Sequence, residues 1–430
     1  MHSSRTRREF LQAAIAAGTA IASGPLGSLG PALAKEPRSA NEKLNIAVIG
    51  VAGRGGENLG GVSGENIAVL CDIDDQRLEA AGQKHPGAKR VSDYREVFET
   101  ANLDGIVCST PDHMHAVVVS AALKRGLPVY CEKPLTHSVH EARVLRQLNA
   151  KARVPTQMGN QIHAGANYRR VVELVRSGVI GSIERVHVWL GDGGRSFPNV
   201  KTSEPPKHIH YDLWVGPAPF RPYSDAHFHF NWRYWWDFGG GQMADFGCHY
   251  MDLPFWALEL GAPTSVAAKG EKGHDGDNDC PMKMQVEYKF PARGGMSPVH
   301  LTWYHGSWMP EGADVYKMRS AVLFEGSNGR LIADYGTNKL YLQEGKTAAP
   351  VKPWITDSIG HHNEWLQAIR TNGTTSSNFE YGGNLTEAVL LGNVSYRSGK
   401  AFQWDAKALK TDSPEADAFL KRDYRAGWTL

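Results

Sequence analysis

Cysteine is scarce in this chain, with five in 430 residues and no clustered spacing, so a disulfide-stapled scaffold is excluded. Cys71, Cys108 and Cys131 each close an apolar run and read as small buried hydrophobes. The odd total argues against a bridge between the remaining two, Cys248 and Cys280. Long apolar runs are also missing. None approaches the roughly 20 residues that span a bilayer, so no membrane partner is expected. Charge of one sign is not in excess: the net charge is +2 and the Lys and Arg residues are scattered, which leaves no footprint for nucleic acid. Internal repeats and low-complexity segments are lacking as well. Metal-ligand spacing is incomplete. The pairs His113/His115, His208/His210 and His227/His229 would point the same way in a strand, but no Cys or Glu completes a tetrahedral set, so no metal is expected.

What is present is a composition of 41% hydrophobic and 21% charged residues, enough for about two globular domains. At the N-terminus, Thr6-Arg7-Arg8-Glu9-Phe10-Leu11 resembles the twin-arginine export motif. A mildly apolar stretch follows over 13–22, and Ala32-Leu33-Ala34 offers a cleavage site. Residues 1–34 are therefore expected to be an export signal, 35–43 a linker, and the destination the periplasm or another exported location. A plain N-terminal arm is the alternative.

The stretch 44–72 reads as a buried strand, a glycine-rich turn, a short helix and a second strand ending in an acid. Leu44, Ile46, Val48 and Ile49 form a near-continuous apolar run, as in a parallel strand covered on both faces. Gly50, Ala52 and Gly55 fall on the three glycine positions of the dinucleotide fingerprint, with Gly53 and Arg54 between them. Ala52 replaces the glycine that lets backbone approach a pyrophosphate, and a methyl is the smallest intrusion. A second apolar strand over 67–71 ends in Asp72, placed to accept hydrogen bonds from an adenosine ribose. That carboxylate would repel a 2′-phosphate and favours NAD, whereas Arg54 offers such a phosphate a seat and keeps NADP open. A tight turn without a ligand is the competing reading.

Downstream, helices are predicted over 75–84, 113–123 and 140–152 and strands over 105–108, 128–131 and 154–158, with Asp93 capping a short helix. This alternation predicts an α/β fold: a Rossmann-type, doubly wound parallel sheet of about six strands over 44–159, its ligand crevice at the strands' carboxyl ends. The pattern then changes to a helix over 166–177, a strand over 182–190, and loops rich in aromatics up to 238. Strand-like runs follow over 282–290, 299–305, 321–324, 330–334 and 339–343, with Ser327-Asn328-Gly329 as a hairpin turn. A substrate-binding α+β domain with a largely antiparallel sheet is expected for 160–430, finished by helices over 364–370 and 385–397. The tail after Trp404 reads as peripheral.

Three constellations sit at predicted strand ends or between the domains. Thr110-Pro111-Asp112-His113-Met114-His115 and Glu132-Lys133-Pro134 each follow a strand directly. Proline at 134 restrains Lys133 to extended geometry and aims an ammonium that would stabilise a developing alkoxide. Taken alone, a surface lysine at a loop start fits better. In the third, glycines at 239–241 lead into a helix on which Asp245 and His249 share a face, with Asp252 three residues on. A carboxylate there would orient the imidazole, and histidine suits the removal of a hydroxyl proton near neutrality. Spacing alone also fits a structural helix with a buried histidine. Ahead of it, 227–238 holds Trp232, Arg233, Tyr234, Trp235 and Trp236. These rings suit the apolar faces of a sugar and Arg233 its hydroxyls, while domain core or a subunit interface is at least an equal reading. His361 and His362 open a predicted helix and read as substrate-side or capping residues.

Together the turn at 50–55, Asp72, Thr110-Pro111, Glu132-Lys133-Pro134 and the Asp245/His249 pair resemble the Gfo/Idh/MocA oxidoreductases, over nearly all of the chain after residue 34. The resemblance implies an NAD(P)-dependent enzyme that oxidises a secondary hydroxyl of a sugar, inositol or glycoside. It implies catalysis by Lys133, Asp245 and His249. Cofactor contacts are implied for Gly50, Ala52, Gly53, Arg54, Gly55, Asp72, Thr110, Pro111, His115, Glu132, Lys133 and Gln161. Substrate contacts are expected from Lys133, Trp232, Arg233, Asp245 and His249, and a homo-oligomer is expected. Ala52 and the aromatic-rich insertion depart from the family pattern, and the insertion leaves the substrate open. A non-catalytic sugar-binding protein on the same fold is the rival of another class, against which the intact Lys133, Asp245 and His249 argue. Export adds a constraint. Little free NAD is expected outside the cytoplasm, so the cofactor should be loaded first and retained. The net reaction would then pass hydride between sugars, or cleave or epimerise one through a keto intermediate without net redox change.

Overall fold

Six parallel strands make the first sheet: β1 (Asn45–Ile49), β2 (Asn66–Cys71), β3 (Lys89–Val91), β4 (Gly105–Cys108), β5 (Val129–Glu132) and β6 (Thr156–Gly159). Their order is β3-β2-β1-β4-β5-β6, so the winding reverses between β1 and β4 and opens a crevice at their carboxyl ends. The structure is a computed structural model that describes residues 42–430, and the expected export signal at 1–34 and most of the linker at 35–43 lie outside the described residues. Helices α1 (Arg54–Val62), α2 (Asp75–Lys84), α3 (Tyr94–Val97), α4 (Asp112–Leu123) and α5 (Val139–Ala152) alternate with the strands. They cover both faces, which is why β4 and β5 are buried along their whole length. Asp74 starts α2 by accepting from the amides of Gln76 and Arg77, Asp93 caps α3, and Ser138 with Glu141 closes a capping box on α5. β3 reads Lys-Arg-Val and so escapes the apolar pattern.

The second half runs α6 (Ala166–Arg176), β7 (Ile183–Leu190), α7 (Tyr211–Val215), α8 (Gly241–Tyr250), α9 (Asp252–Ala257), β8 (Ser265–Glu271), β9 (Lys283–Phe290), β10 (Val299–His305), β11 (Ala321–Gly326), β12 (Gly329–Ala333) and β13 (Asn338–Leu342). It ends with α10 (His361–Thr371), α11 (Phe379–Ser398), β14 (Phe402–Asp405), β15 (Lys410–Thr411) and α12 (Pro414–Asp417). Nine strands form one sheet in the order β13-β12-β11-β7-β10-β9-β8-β14-β15. All neighbours are antiparallel except β7 and β10, which run parallel, so the sheet is mixed though mostly antiparallel.

Two features tie the halves together. α10 lays Trp365 and Leu366 on the face of the first sheet formed by Leu44, Ile46, Val48, Val107 and Tyr130. Gly105 leaves room for it, since a Cβ there would lie 2.9 Å from the Trp365 ring. Between α5 and α11, Arg143 and Arg146 grip Glu387 at 2.7 and 2.8 Å. Packing therefore does not separate 44–159 from 160–430. The tail is not peripheral either. β14 and β15 extend the second sheet, and 421–430 returns to the first half, where Arg422 donates to Glu141 (2.8 Å) and to the His113 carbonyl (2.6 Å). All five cysteines are buried and free. Among the described residues no helix is long and apolar enough to cross a membrane.

Candidate active site

β1 is followed by Gly50 at φ +81°, where a Cβ would lie 2.6 Å from the Ser109 carbonyl oxygen. Gly53, at φ +57°, faces open space, and α1 starts there without a side-chain cap. Uncapped amides at a helix N-terminus beside open space suit a pyrophosphate. Asp72 ties this turn to the end of β2, accepting from the Val51 amide (2.9 Å) and the Asp74 amide (3.1 Å), and burial raises its carboxyl pKa. The residues present thus fit a dinucleotide. Arg54 turns its guanidinium to Glu57.

A cavity of about 680 Å³ joins this turn to α8. Gly50, Ala52, Gly53, Arg54, Asp72, Thr110, Pro111, Glu132 and Lys133 line it from the first half, with Trp232, Arg233, Asp245 and His249 from the second. Three expected cofactor contacts lie behind the wall instead. Gly55 is packed under the turn, where a Cβ would meet the Gly50 carbonyl at 1.9 Å. His115 sits 2.8 Å from the carbonyls of both Pro134 and Thr110, bracing two wall segments, and burial lowers its pKa to about 4. Gln161 donates to Tyr130 and to Glu132 Oε1 (2.7 Å), which also takes the Asn58 amide (2.9 Å). The Lys133–Pro134 peptide bond is cis.

The Lys133 ammonium lies 2.5 Å from both the Oδ1 and the backbone carbonyl of Asp245, and Arg233 Nε donates to the same Oδ1 at 3.1 Å. Burial pushes the Asp245 carboxyl up, but the two cations outweigh it and hold it well below the usual range. The expected Asp245–His249 pairing is therefore absent. The two share a face of α8, yet the carboxylate turns to the cations across the cavity. Asp252 is committed elsewhere, to Asn160 (2.9 Å), His163 (2.9 Å) and Tyr381 (2.6 Å). Among the described residues His249 Nδ1 is buried without a partner, which leaves Nε2 to face the cavity, and burial lowers the imidazole pKa to about 3.

Arg233 is stacked between Phe230 and Trp232, 4.3 and 4.2 Å from their ring centroids, and also donates to the Phe230 carbonyl. Nη2 and the second N–H of Nη1 make no hydrogen bond among the described residues. Tyr234 and Trp235 instead build the insertion's own core with Tyr211, Trp214 and Phe238. That core docks on the end of β2, where His210 N donates to the Ile73 carbonyl and Asp75 N to that of His208. The paired histidines do not face a common metal: His113 donates to the Trp214 carbonyl, and His229 pairs with Asp74. Cys108, His115 and Cys131 do come within 4.8 Å of one another, but they are fully buried and both His115 nitrogens meet carbonyls. His361 and His362 stay outside the cavity, against the Met158 carbonyl and Asn58 Oδ1.

Among the wall residues to which the sequence reading gave no role are Asp112 and Trp428. Asp112, on the first turn of α4, is buried, and its carboxyl makes no hydrogen bond among the described residues. Burial raises its pKa to about 7, helped by Asp245 and Glu132 and opposed by Arg233 and Lys133. Its place directly after Thr110-Pro111 was the available signal. The other, Trp428, carries no motif at all.

Residues 44–160 match the family model for the oxidoreductase NAD-binding Rossmann fold, and 169–430 match that for the oxidoreductase C-terminal alpha/beta domain. Inositol 2-dehydrogenase of Arthrobacter sp. (strain FB24) is 28% identical over 34% of this chain and 45% of its own length. That of Rubrobacter xylanophilus is 30% identical over 35% of this chain and 45% of its own. The chain thus spans about half the length of the relatives it matches. Among solved structures, the WlbA dehydrogenase from Chromobacterium violaceum, in complex with NADH and UDP-GlcNAcA, superposes with a TM-score of 0.63 at 16% identity, over 86% of this chain and 99% of that one. This likeness speaks to the fold. The first half is an NAD-binding Rossmann domain, and the chain belongs to the Gfo/Idh/MocA oxidoreductase family.

Proposed function

We propose that this protein oxidises a secondary hydroxyl of a sugar, inositol or glycoside. The observation that carries this is the meeting of Lys133, Asp245, Arg233 and His249 with the glycine turn on one cavity. NAD, when bound along the turn, supplies the hydride acceptor. Asp245 fixes the Lys133 ammonium, so that its charge is aimed where an alkoxide develops. His249 presents Nε2 as the acceptor for the hydroxyl proton, although burial lowers its pKa to about 3, well under the near-neutral value expected from the sequence for a general base. Phe230 and Trp232 line the cavity on either side of the Arg233 guanidinium. Lys133→Ala should lower kcat by roughly 10²–10³ while NAD still binds. Near-normal turnover would remove Lys133 from the mechanism, and no conversion of any glycoside by the unmutated chain would favour a non-catalytic sugar-binding protein.

Asp112 favours a second reading, redox-neutral cleavage or epimerisation. A ketone acidifies the neighbouring C–H, and Asp112, which makes no hydrogen bond among the described residues, has a suitable pKa to take that proton, leaving the electron pair in an enolate. Deuterium appearing at that carbon in heavy water supports it, and retention of the hydrogen argues for simple oxidation. Residues 1–34 support export by the twin-arginine route with NAD already bound. Cell fractionation of an Arg7→Lys/Arg8→Lys variant, and acid release of nucleotide from the exported chain, test both points. Self-association is read out by light scattering.

A further inference from the structure

The cavity does not end at Asp72. It continues to a recess walled by Ile73, Arg77, Ser92, Asp93, Tyr94 and Trp428. In this winding the acid at the end of β2 takes the ribose, so the recess beyond it is where the base of a dinucleotide must lie. A purine needs a flat apolar surface, and Tyr94 and Trp428 are the aromatic residues there. Their rings are stacked, with centroids 6.2 Å apart and planes 26° from parallel, and the Arg95 guanidinium lies 5.3 Å from the Trp428 ring.

Trp428 comes from the far end of the described chain and is held in place deliberately. Arg422 and Tyr424 both reach Glu141 (2.8 and 2.6 Å), and Arg425 donates to the Gly216 carbonyl (3.1 Å) and pairs with Asp212 (2.5 Å). The Trp428 amide then closes a turn onto the Arg425 carbonyl at 3.1 Å. These anchors join α5 and the insertion, so 421–430 straps across one end of the cleft. No regular element pairs with it.

We propose that Trp428, with Tyr94, forms the adenine seat of the NAD site, and that the segment 421–430 retains the nucleotide by closing over that base. This rests on the NAD reading of the glycine turn. Loss of a base stack weakens binding roughly five- to hundredfold.

The full chain and its Trp428→Ala and Trp428→Phe variants, each saturated with NAD, are chased with excess fluorescent etheno-adenine NAD, and AMP and NMN are titrated separately. The expected result is faster NAD release and weaker AMP binding in Trp428→Ala, both largely restored in Trp428→Phe, with NMN binding unchanged in all three. AMP should also quench a component of tryptophan emission that Trp428→Phe lacks. Equal NAD release and AMP affinity in the three chains, with thermal melts alike, overturn the adenine seat and leave the cofactor reading standing. An unmutated chain that takes up neither NAD nor AMP overturns both.

Discussion

Two carboxyls on one cavity wall are driven in opposite directions. Asp245 has two cations within reach and stays ionised, whereas Asp112 has no hydrogen bond among the described residues and is raised to about 7. For Asp112 the folded pKa lies above the unfolded one, so the folded state binds the proton more tightly. Its stabilising contribution is complete below pH 4 and is lost as the pH rises through about 7. Asp112→Asn should therefore gain in Tm relative to the unmutated chain as the pH goes from 4 to 8, by the equivalent of a few kcal/mol at most. Melts of both proteins across that range check it, and a constant difference would mean the carboxyl is already solvated. Comparing the pair cancels the buried histidines His113, His115, His249 and His361, whose lowered pKa values act oppositely and destabilise the fold as the pH falls below about 6.5. At this scale the sequence disclosed which residues matter better than what they touch. A spacing of four is visible in a string, but the Lys133 that claims Asp245 arrives from the end of β5, 112 residues earlier.

At the scale of elements, the glycine turn carries the most constraint per residue. Gly50→Ala places a methyl 2.6 Å from a backbone oxygen at positive φ, with no flexible side chain to give way. It should cost more than about 1 kcal/mol in urea unfolding and abolish NAD uptake, whereas Ala52→Gly should leave stability within about 1 kcal/mol. The βα alternation was legible because each buried parallel strand is an apolar run bounded by turn residues. β3 was not, being short and polar at an edge. Nor was the parallel β7–β10 pair, since the strands that meet there lie more than 100 residues apart with no turn to set their direction.

At the scale of the whole molecule, the boundary drawn near residue 159 is real in sequence pattern but not in packing. Trp365 is fully buried in the core of the first sheet. Trp365→Ala should destabilise the protein by about 3–5 kcal/mol, measured by urea denaturation, and should do so in a single transition shared by both halves. Two separate transitions would restore independent domains. Neither this contact nor the strap at 421–430 could be read from periodicity, which reports that a helix has a buried face but not which sheet receives it.

The same packing has a consequence for biosynthesis. The strands of the first sheet leave the ribosome early, but the helix that covers one of its faces is encoded roughly 200 residues later, an interval of about 10–40 s at ~5–20 residues per second. Throughout that interval α1 and α2 cover part of this face, but the apolar surface that Trp365 and Leu366 later bury stays open. Emergence of Trp365 closes that apolar patch.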